Sequence, residues 1–273
     1  MIKSISFWSF PGGTTIEAAM KQAQGASFQA IELAVDEEGE LSLESTAADT
    51  DRIRDLAGSI GLQLPTLATG LGWAYPVVGP DPAVSAKGKA VVRKCLELAQ
   101  GLGAKVILVV PGSVTDTFPY DAACEQLVPA FQELAPEAEE RGVIIGLENV
   151  WNRFMLSPVE FARLIDEIDH PFVQAYFDVG NVLLTGFPDQ WIRILGKRIK
   201  AVHFKDFKLS IHTIQGFIDL LEGDVPWDRV MAAFRVVGYE GAVTAEMMPP
   251  YRYFPQRLLE ATSESMDAIL SLP

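Results

Sequence analysis

Short apolar runs recur along this chain, and a polar stretch with helical spacing follows each one. Ile2–Trp8, Phe28–Leu33, Leu62–Leu67, Lys105–Val110, Val143–Leu147, Phe172–Phe177, Ile199–Phe204 and Ala242–Ala245 are of strand length and rich in β-branched or aromatic residues. Runs apolar on both faces are expected of parallel strands covered on both sides. The stretches between them carry helix signals. Thr14 is placed to cap a helix to Gln24 with Glu17 at the capping-box position, and Asp49 to cap one through Ile60 that stops at Gly61. Pro82–Leu102 closes on Gly103, and Asp121–Arg141 closes on Gly142, with Pro129 and Pro136 expected to bend or split it. Ser157-Pro158 starts the next helix, Phe187–Gly196 forms a short one, Trp227 opens another to Val237, and Pro255–Leu270 ends the chain. Eight strands alternating with about eight helices is the pattern of an α/β fold of the (β/α)8 TIM-barrel type. No linker or low-complexity segment interrupts it, so residues 1–273 read as a single barrel domain. A doubly wound nucleotide-binding sheet is disfavoured, because neither a G-x-G-x-x-G after the first strand nor a Walker-type loop is present. The loop Ala68–Pro80 exceeds a simple connection and is a candidate pocket wall.

Composition narrows the partners. With 49% hydrophobic and 21% charged residues over 273 positions, the chain can bury a large core. Its formal net charge of −14, without a dense Lys/Arg run, argues against nucleic acid and anionic membrane surfaces. Cys95 and Cys124 each fall in a helical stretch, which fits neither a disulfide framework nor a Cys-based zinc pattern. MIKSISFWSF reads as a first strand rather than a signal peptide, and no run has bilayer length, so a cytoplasmic location is expected.

Four strand ends carry metal-type residues. Glu148 follows the fifth run, Asp178 the sixth, His203 lies near the end of the seventh, and Glu246 follows the eighth. In a barrel the C-terminal strand ends build the active site, so these four side chains should converge. A mixed carboxylate and imidazole set suits a divalent metal ion such as Mn, Mg, Co or Zn. Softer candidates surround them. Glu32, near the end of the second strand, could bond substrate hydroxyls or pair within a loop. Lys205 could bind substrate oxygens or a phosphate, or instead pair with Asp206, and Arg153 could do the same from the loop after the fifth strand. Trp8 and Trp73 could form an apolar wall against a substrate or pack the core, and Asn149 and Asn152 could position Glu148. His170, before a proline at a strand entry, reads as inert; His212 lies in the excursion after the seventh strand.

LENVWNRF (Leu147–Phe154), YFDVGN (Tyr176–Asn181), VHFKDF (Val202–Phe207), GDVPW (Gly223–Trp227) and TAEMMP (Thr244–Pro249) resemble the sugar-phosphate isomerase/epimerase families of the xylose-isomerase-like barrels, which include the ketose 3-epimerases and hexulose-phosphate epimerases. The resemblance covers essentially the whole chain, including IEL at Ile31–Leu33. It implies a metal held by Glu148, Asp178, His203 and Glu246, with a sugar or sugar phosphate as substrate. It also implies proton exchange by Glu148 and Glu246 on opposite faces of the sugar, through an enediolate that the metal stabilises. Ketose 3-epimerases often carry a His where Gly180-Asn181 stands here, and a Glu where this chain has Met155. Those departures leave inosose dehydratase or 3-keto-sugar lyase chemistry open on the same metal site. A non-catalytic sugar-binding barrel is a further alternative, whereas three histidines and the net charge of −14 argue against an apurinic endonuclease. The resemblance implies a homodimer as the assembly to test, with the C-terminal helix or the Ala68–Pro80 loop as the candidate contact.

Overall fold

Each apolar run pairs in parallel with the next until the last closes on the first. The computed structural model describes residues 1–248 and 251–273. Its barrel strands are β1 (Ile2–Ser6), β2 (Ala30–Val35), β3 (Thr66–Thr69), β4 (Val106–Val109), β5 (Ile144–Glu148), β6 (Val173–Asp178), β7 (Ile199–Phe204) and β10 (Ala242–Ala245). They close in the order β1-β10-β7-β6-β5-β4-β3-β2. A two-stranded antiparallel ribbon, β8 (Asp206–Phe207) with β9 (Phe217–Ile218), stands outside this ring after β7. The helices are α1 (Ile16–Gly25), α2 (Ala47–Ser59), α3 (Pro82–Leu102), α4 (Tyr120–Arg141), α5 (Pro158–Ile168), α6 (Pro188–Leu195), α7 (Trp227–Val237) and α8 (Gln256–Leu270). The fold is the expected eight-stranded α/β barrel. Among the described residues no helix is long and apolar enough to cross a membrane.

Two apolar layers hold it together. The larger lies between sheet and helices and includes Ile107, Val109, Leu127 and Phe131. The smaller, around Val106, Leu108, Tyr176 and Ala201, comes from the alternate strand positions and fills the barrel interior. Helix ends follow local rules. Asp81 accepts from Ala83 N with Pro82 at the first helical position, and Gly103 at φ +79° closes α3 in the left-handed region.

Several boundaries differ from the sequence expectation, each for a local reason. Thr15, not Thr14, caps α1, which moves Glu17 off the box position; it pairs instead with Lys21 at 2.6 Å on the surface. Thr46 caps α2 and Asp49 is its reciprocal partner three positions on. Helix α4 is continuous through Pro129 and Pro136. Both prolines lie on its exposed side, where helices curve convex to solvent and a lost backbone donor is tolerated, while Leu127, Phe131 and Leu134 bind the opposite side to the barrel. Pro65, which lacks an N–H, delays β3 to Thr66. Strand β2 starts later than expected and runs on to Val35, which places Glu32 mid-strand rather than at a strand end.

Candidate metal centre

Glu148 is the last residue of β5 and Asp178 the last of β6; His203 is one from the end of β7, and Glu246 directly follows β10. Parallel pairing sets Asp178 level with His203, and β10 lies beside β7. The four residues each present one ligand-type atom, and all four atoms lie within 4.8 Å of one another. From His203 Nδ1, Glu246 Oε2 is at 2.8 Å, Glu148 Oε1 at 3.4 Å and Asp178 Oδ2 at 3.9 Å. Glu148 Oε1, Asp178 Oδ2 and His203 Nδ1 are buried and make no hydrogen bond. Buried polar atoms nearly always have a partner, and three orphaned donors of lone pairs aimed at one another are the signature of a cation site. The set therefore fits a divalent ion, held by three carboxylates and one imidazole nitrogen.

Electrostatics within the cluster pull in opposite directions. Burial lifts the Glu148 carboxyl to about 7, against the pull of His203 and Lys205. Burial also raises Asp178. It acts on Glu246 in the same sense, but Lys205 and His203 more than offset it and hold that carboxyl at about 2. His203 is disfavoured as a cation by burial, yet Glu32 and Glu246 outweigh this and raise it well above its ordinary value. Lys205 Nζ sits 3.2 Å from Asp178 Oδ2 and 2.8 Å from Glu246 Oε2.

A cavity of about 390 Å³ opens over the cluster, and Glu148, Glu246 and Lys205 form its polar end. Trp8 and Trp73 line it, together with Trp151, Ile214 and Phe217. The last three were not anticipated. Trp151 meets Phe207 edge-on and Phe217 at a tilt, with ring centroids at 5.4 and 5.1 Å, and its indole N–H donates to Asn181 O. An aromatic three residues beyond a strand-end ligand was the available signal for Trp151; Ile214 and Phe217 arrive through the excursion after β7, whose sequence carries no periodic signal.

Other expectations are corrected by placement. Glu32 does not reach the cavity: it is 0% exposed, and Tyr176 and His203 occupy its two oxygens. Arg153, at φ +58°, lines a neighbouring cavity of about 250 Å³ beyond Trp151 instead of the one over the cluster. Asp206 does not pair with Lys205. Its carboxylate accepts from the backbone N–H groups of Phe207, Leu221 and Val225 and from Trp227 Nε1, so it ties down the excursion that carries Ile214 and Phe217. Asn149 bonds the backbone of Asp178, through Asp178 N to its Oδ1 and through its Nδ2 to Asp178 O, each at 2.9 Å, rather than Glu148 itself. Asn152 bonds Gly112 O and Phe154 N in the loop. His170 accepts from Phe172 N at the far end of β6, and His212 is exposed. Pro249, the last residue of the TAEMMP stretch, lies outside the described residues.

Gly180 has a steric reason. A Cβ there would stand 2.6 Å from Lys205 Cβ and 2.9 Å from Lys205 O, so any side chain would push the strand end bearing Lys205 away from Asp178 and Glu246. Gly180→Ala is expected to cost about 1–3 kcal/mol of stability, the usual range for overpacking. Thermal unfolding of the variant measures this, and an unchanged midpoint would mean that the strand end yields freely.

Comparison with known proteins follows the same lines. A family model described as xylose isomerase-like TIM barrel matches residues 20–271. The L-ribulose-5-phosphate 3-epimerase UlaE of Shigella flexneri serotype 5b (strain 8401) is 26% identical over 249 residues, covering 88% of this chain and 84% of its own length. A solved L-ribulose 3-epimerase superposes with a TM-score of 0.83 at 17% identity, covering 99% of this chain and 95% of its own. The IolI protein, solved with a zinc atom bound, gives 0.79 at 16% identity, covering 99% of this chain and 98% of its own.

Proposed function

Since the chain belongs to the xylose isomerase-like TIM barrel family, we propose that it is a divalent-metal-dependent carbohydrate epimerase or isomerase that moves a proton on the carbon beside a ketose carbonyl. One observation carries the reading: Glu148 and Glu246 belong to the four-residue donor cluster and also line the cavity above it. A divalent ion held by Glu148, Asp178, His203 and Glu246 would supply Lewis-acid stabilisation of the charge that develops on the substrate oxygens.

The chain's own residues supply the rest. Glu246 enters the cavity from the β10 end and Glu148 from the β5 end, with β6 and β7 between them, so a substrate lying over the cluster meets one carboxyl from each side. One carboxylate takes the proton and the other carboxylic acid returns one from its own side, which inverts the centre. Lys205 Nζ, beside Glu246 Oε2 at 2.8 Å and at the cavity wall, is placed to donate to a substrate oxygen as charge builds. Trp8, Trp73 and Trp151 offer apolar faces for the C–H surface of a sugar. Elimination chemistry of the dehydratase or lyase kind calls for a further acid over the leaving group. Among the described residues lining the cavity, Glu148 and Glu246 are the carboxyl groups, which favours proton transfer without elimination.

The names of the relatives suggest the first substrates to try, L-ribulose and L-ribulose 5-phosphate. Protein loaded with Mn²⁺ and incubated with each in deuterated water is expected to exchange the hydrogen at the carbon beside the carbonyl and to yield the epimer, both followed by proton NMR. Prior treatment with a chelator should abolish the exchange, and restored Mn²⁺ should recover it. Stoichiometric metal binding with no exchange from a panel of ketoses, ketose phosphates and inososes would sink the reading.

A further inference from the structure

Glu32 is a buried acid that the proposed reaction does not use. It is 0% exposed in the middle of β2, on the inner side of the barrel below the cluster. An ionised carboxylate at such depth needs partners that compensate its lost hydration. Its side chain has two: Tyr176 OH donates to Oε2, and His203 Nε2 lies 2.8 Å from Oε1. Tyr176 and His203 are also 0% exposed, and their rings meet edge to face with centroids 4.6 Å apart. The imidazole is thus held on one side by the Glu32 carboxylate and along an edge by the Tyr176 ring. Its other nitrogen, Nδ1, points at the donor cluster and makes no hydrogen bond.

We propose that Glu32, itself held by Tyr176, is a positioning residue for the metal centre: it engages the Nε2–H of His203, fixing the ring's orientation and presenting the Nδ1 lone pair to the ion. The inference rests on the proposed metal site and extends it one layer inward. Two features of the fold make the arrangement rigid. Glu32, Tyr176 and His203 each sit on a barrel strand, so backbone hydrogen bonds on both sides set their spacing. Rotating the imidazole would take the Nε2–H donor away from Glu32 Oε1 and leave that buried oxygen unpaired, since the second oxygen is already held by Tyr176. A carboxylate behind a metal-binding histidine both sets the tautomer and raises the basicity of the ligating nitrogen, and losing one typically weakens metal binding about 10–100-fold. Tyr176 is a neutral partner one step further out, so its removal should have a smaller effect.

Metal affinity of the stripped protein, measured by titration with Mn²⁺ and with Co²⁺, tests this without any substrate. Glu32→Gln keeps the shape and one acceptor oxygen and removes the charge. Its Mn²⁺ dissociation constant is expected to rise about 10–100-fold, with a smaller rise for Tyr176→Phe. The visible Co²⁺ spectrum of Glu32→Gln should shift as the ligand field at the imidazole changes, whereas a merely structural acid would leave it alone. Asp189→Asn serves as a control, because Asp189 lies buried on α6, paired with Arg193 and Arg229, and belongs neither to the donor cluster nor to the cavity lining. That variant should lose stability and keep wild-type metal affinity. If Glu32→Gln binds Mn²⁺ within twofold of wild type and its Co²⁺ spectrum is unchanged, Glu32 has no positioning role and the metal site stands. If wild-type protein takes up neither ion, the metal site and the inference fall together.

Discussion

Glu246→Gln, loaded with metal, is expected to lose about 10²–10⁴-fold in kcat for ketose epimerisation, the contribution usual for a positioned acid or base. The amide keeps the volume and an oxygen donor of the carboxylate but cannot accept a proton from carbon. KM should change little, because the aromatic walls and the remaining donors are untouched. Metal content must be measured on each preparation, since Glu246 is also in the donor cluster. At equal metal occupancy the rate loss reports the proton step alone. Glu148→Gln should behave similarly, and the double variant should be scarcely worse than either single one, because the two carboxyls act in sequence on the same carbon. A metal-replete Glu246→Gln protein that keeps more than a tenth of the wild-type rate would remove Glu246 from the chemistry.

The second large effect is expected at Asp206, which is 1% exposed at the start of the ribbon after β7. Its two oxygens accept from three backbone N–H groups of the excursion between β7 and α7 and from the Trp227 indole at the start of α7. Asp206→Ala leaves all four donors facing an apolar methyl. Losing a buried, multiply bonded carboxylate costs roughly 3–5 kcal/mol. At about 2–4 °C per kcal/mol for a chain of this size, calorimetry should show the midpoint fall by ~6–20 °C. Substrate affinity should fall as well, because Ile214 and Phe217 ride on the same excursion and wall the cavity. Gly223→Ala offers an independent route to the same result, since a Cβ there would land on the Asp206 carboxylate. An Asp206→Ala protein within about 1 kcal/mol of wild type, the range of an ordinary substitution, would show that the excursion holds itself in place without the staple.

The convergence of Glu148, Asp178, His203 and Glu246 was legible because each follows or ends an apolar run, and parallel strands in a barrel deliver their C-terminal ends to one face. Trp8 and Lys205 were legible for the same reason, and Trp73 through the length of the Ala68–Pro80 loop; all three line the cavity. Glu32 was misplaced for a reason just as simple. Strand boundaries read from hydropathy are uncertain by a few residues, and here a shift of two moved a residue from the rim into the interior, with different partners. Arg153 was misplaced because a loop residue at φ +58° aims its side chain in a direction that spacing does not encode.

The sequence by itself determined the architecture and the reach of the metal-type residues. Periodicity, caps and apolar run length are local properties, and eight βα repeats leave few ways to close. Only the tertiary structure decided what lies behind and above the cluster. The Glu32–His203 contact joins residues 171 positions apart, and the Glu32–Tyr176 contact joins residues 144 apart. The cavity wall of Trp8, Trp151 and Phe217 assembles from the segments that follow three different barrel strands, β1, β5 and β7. Such pairings depend on strand order and side-chain direction across the closed barrel, and no stretch of neighbouring residues carries that information.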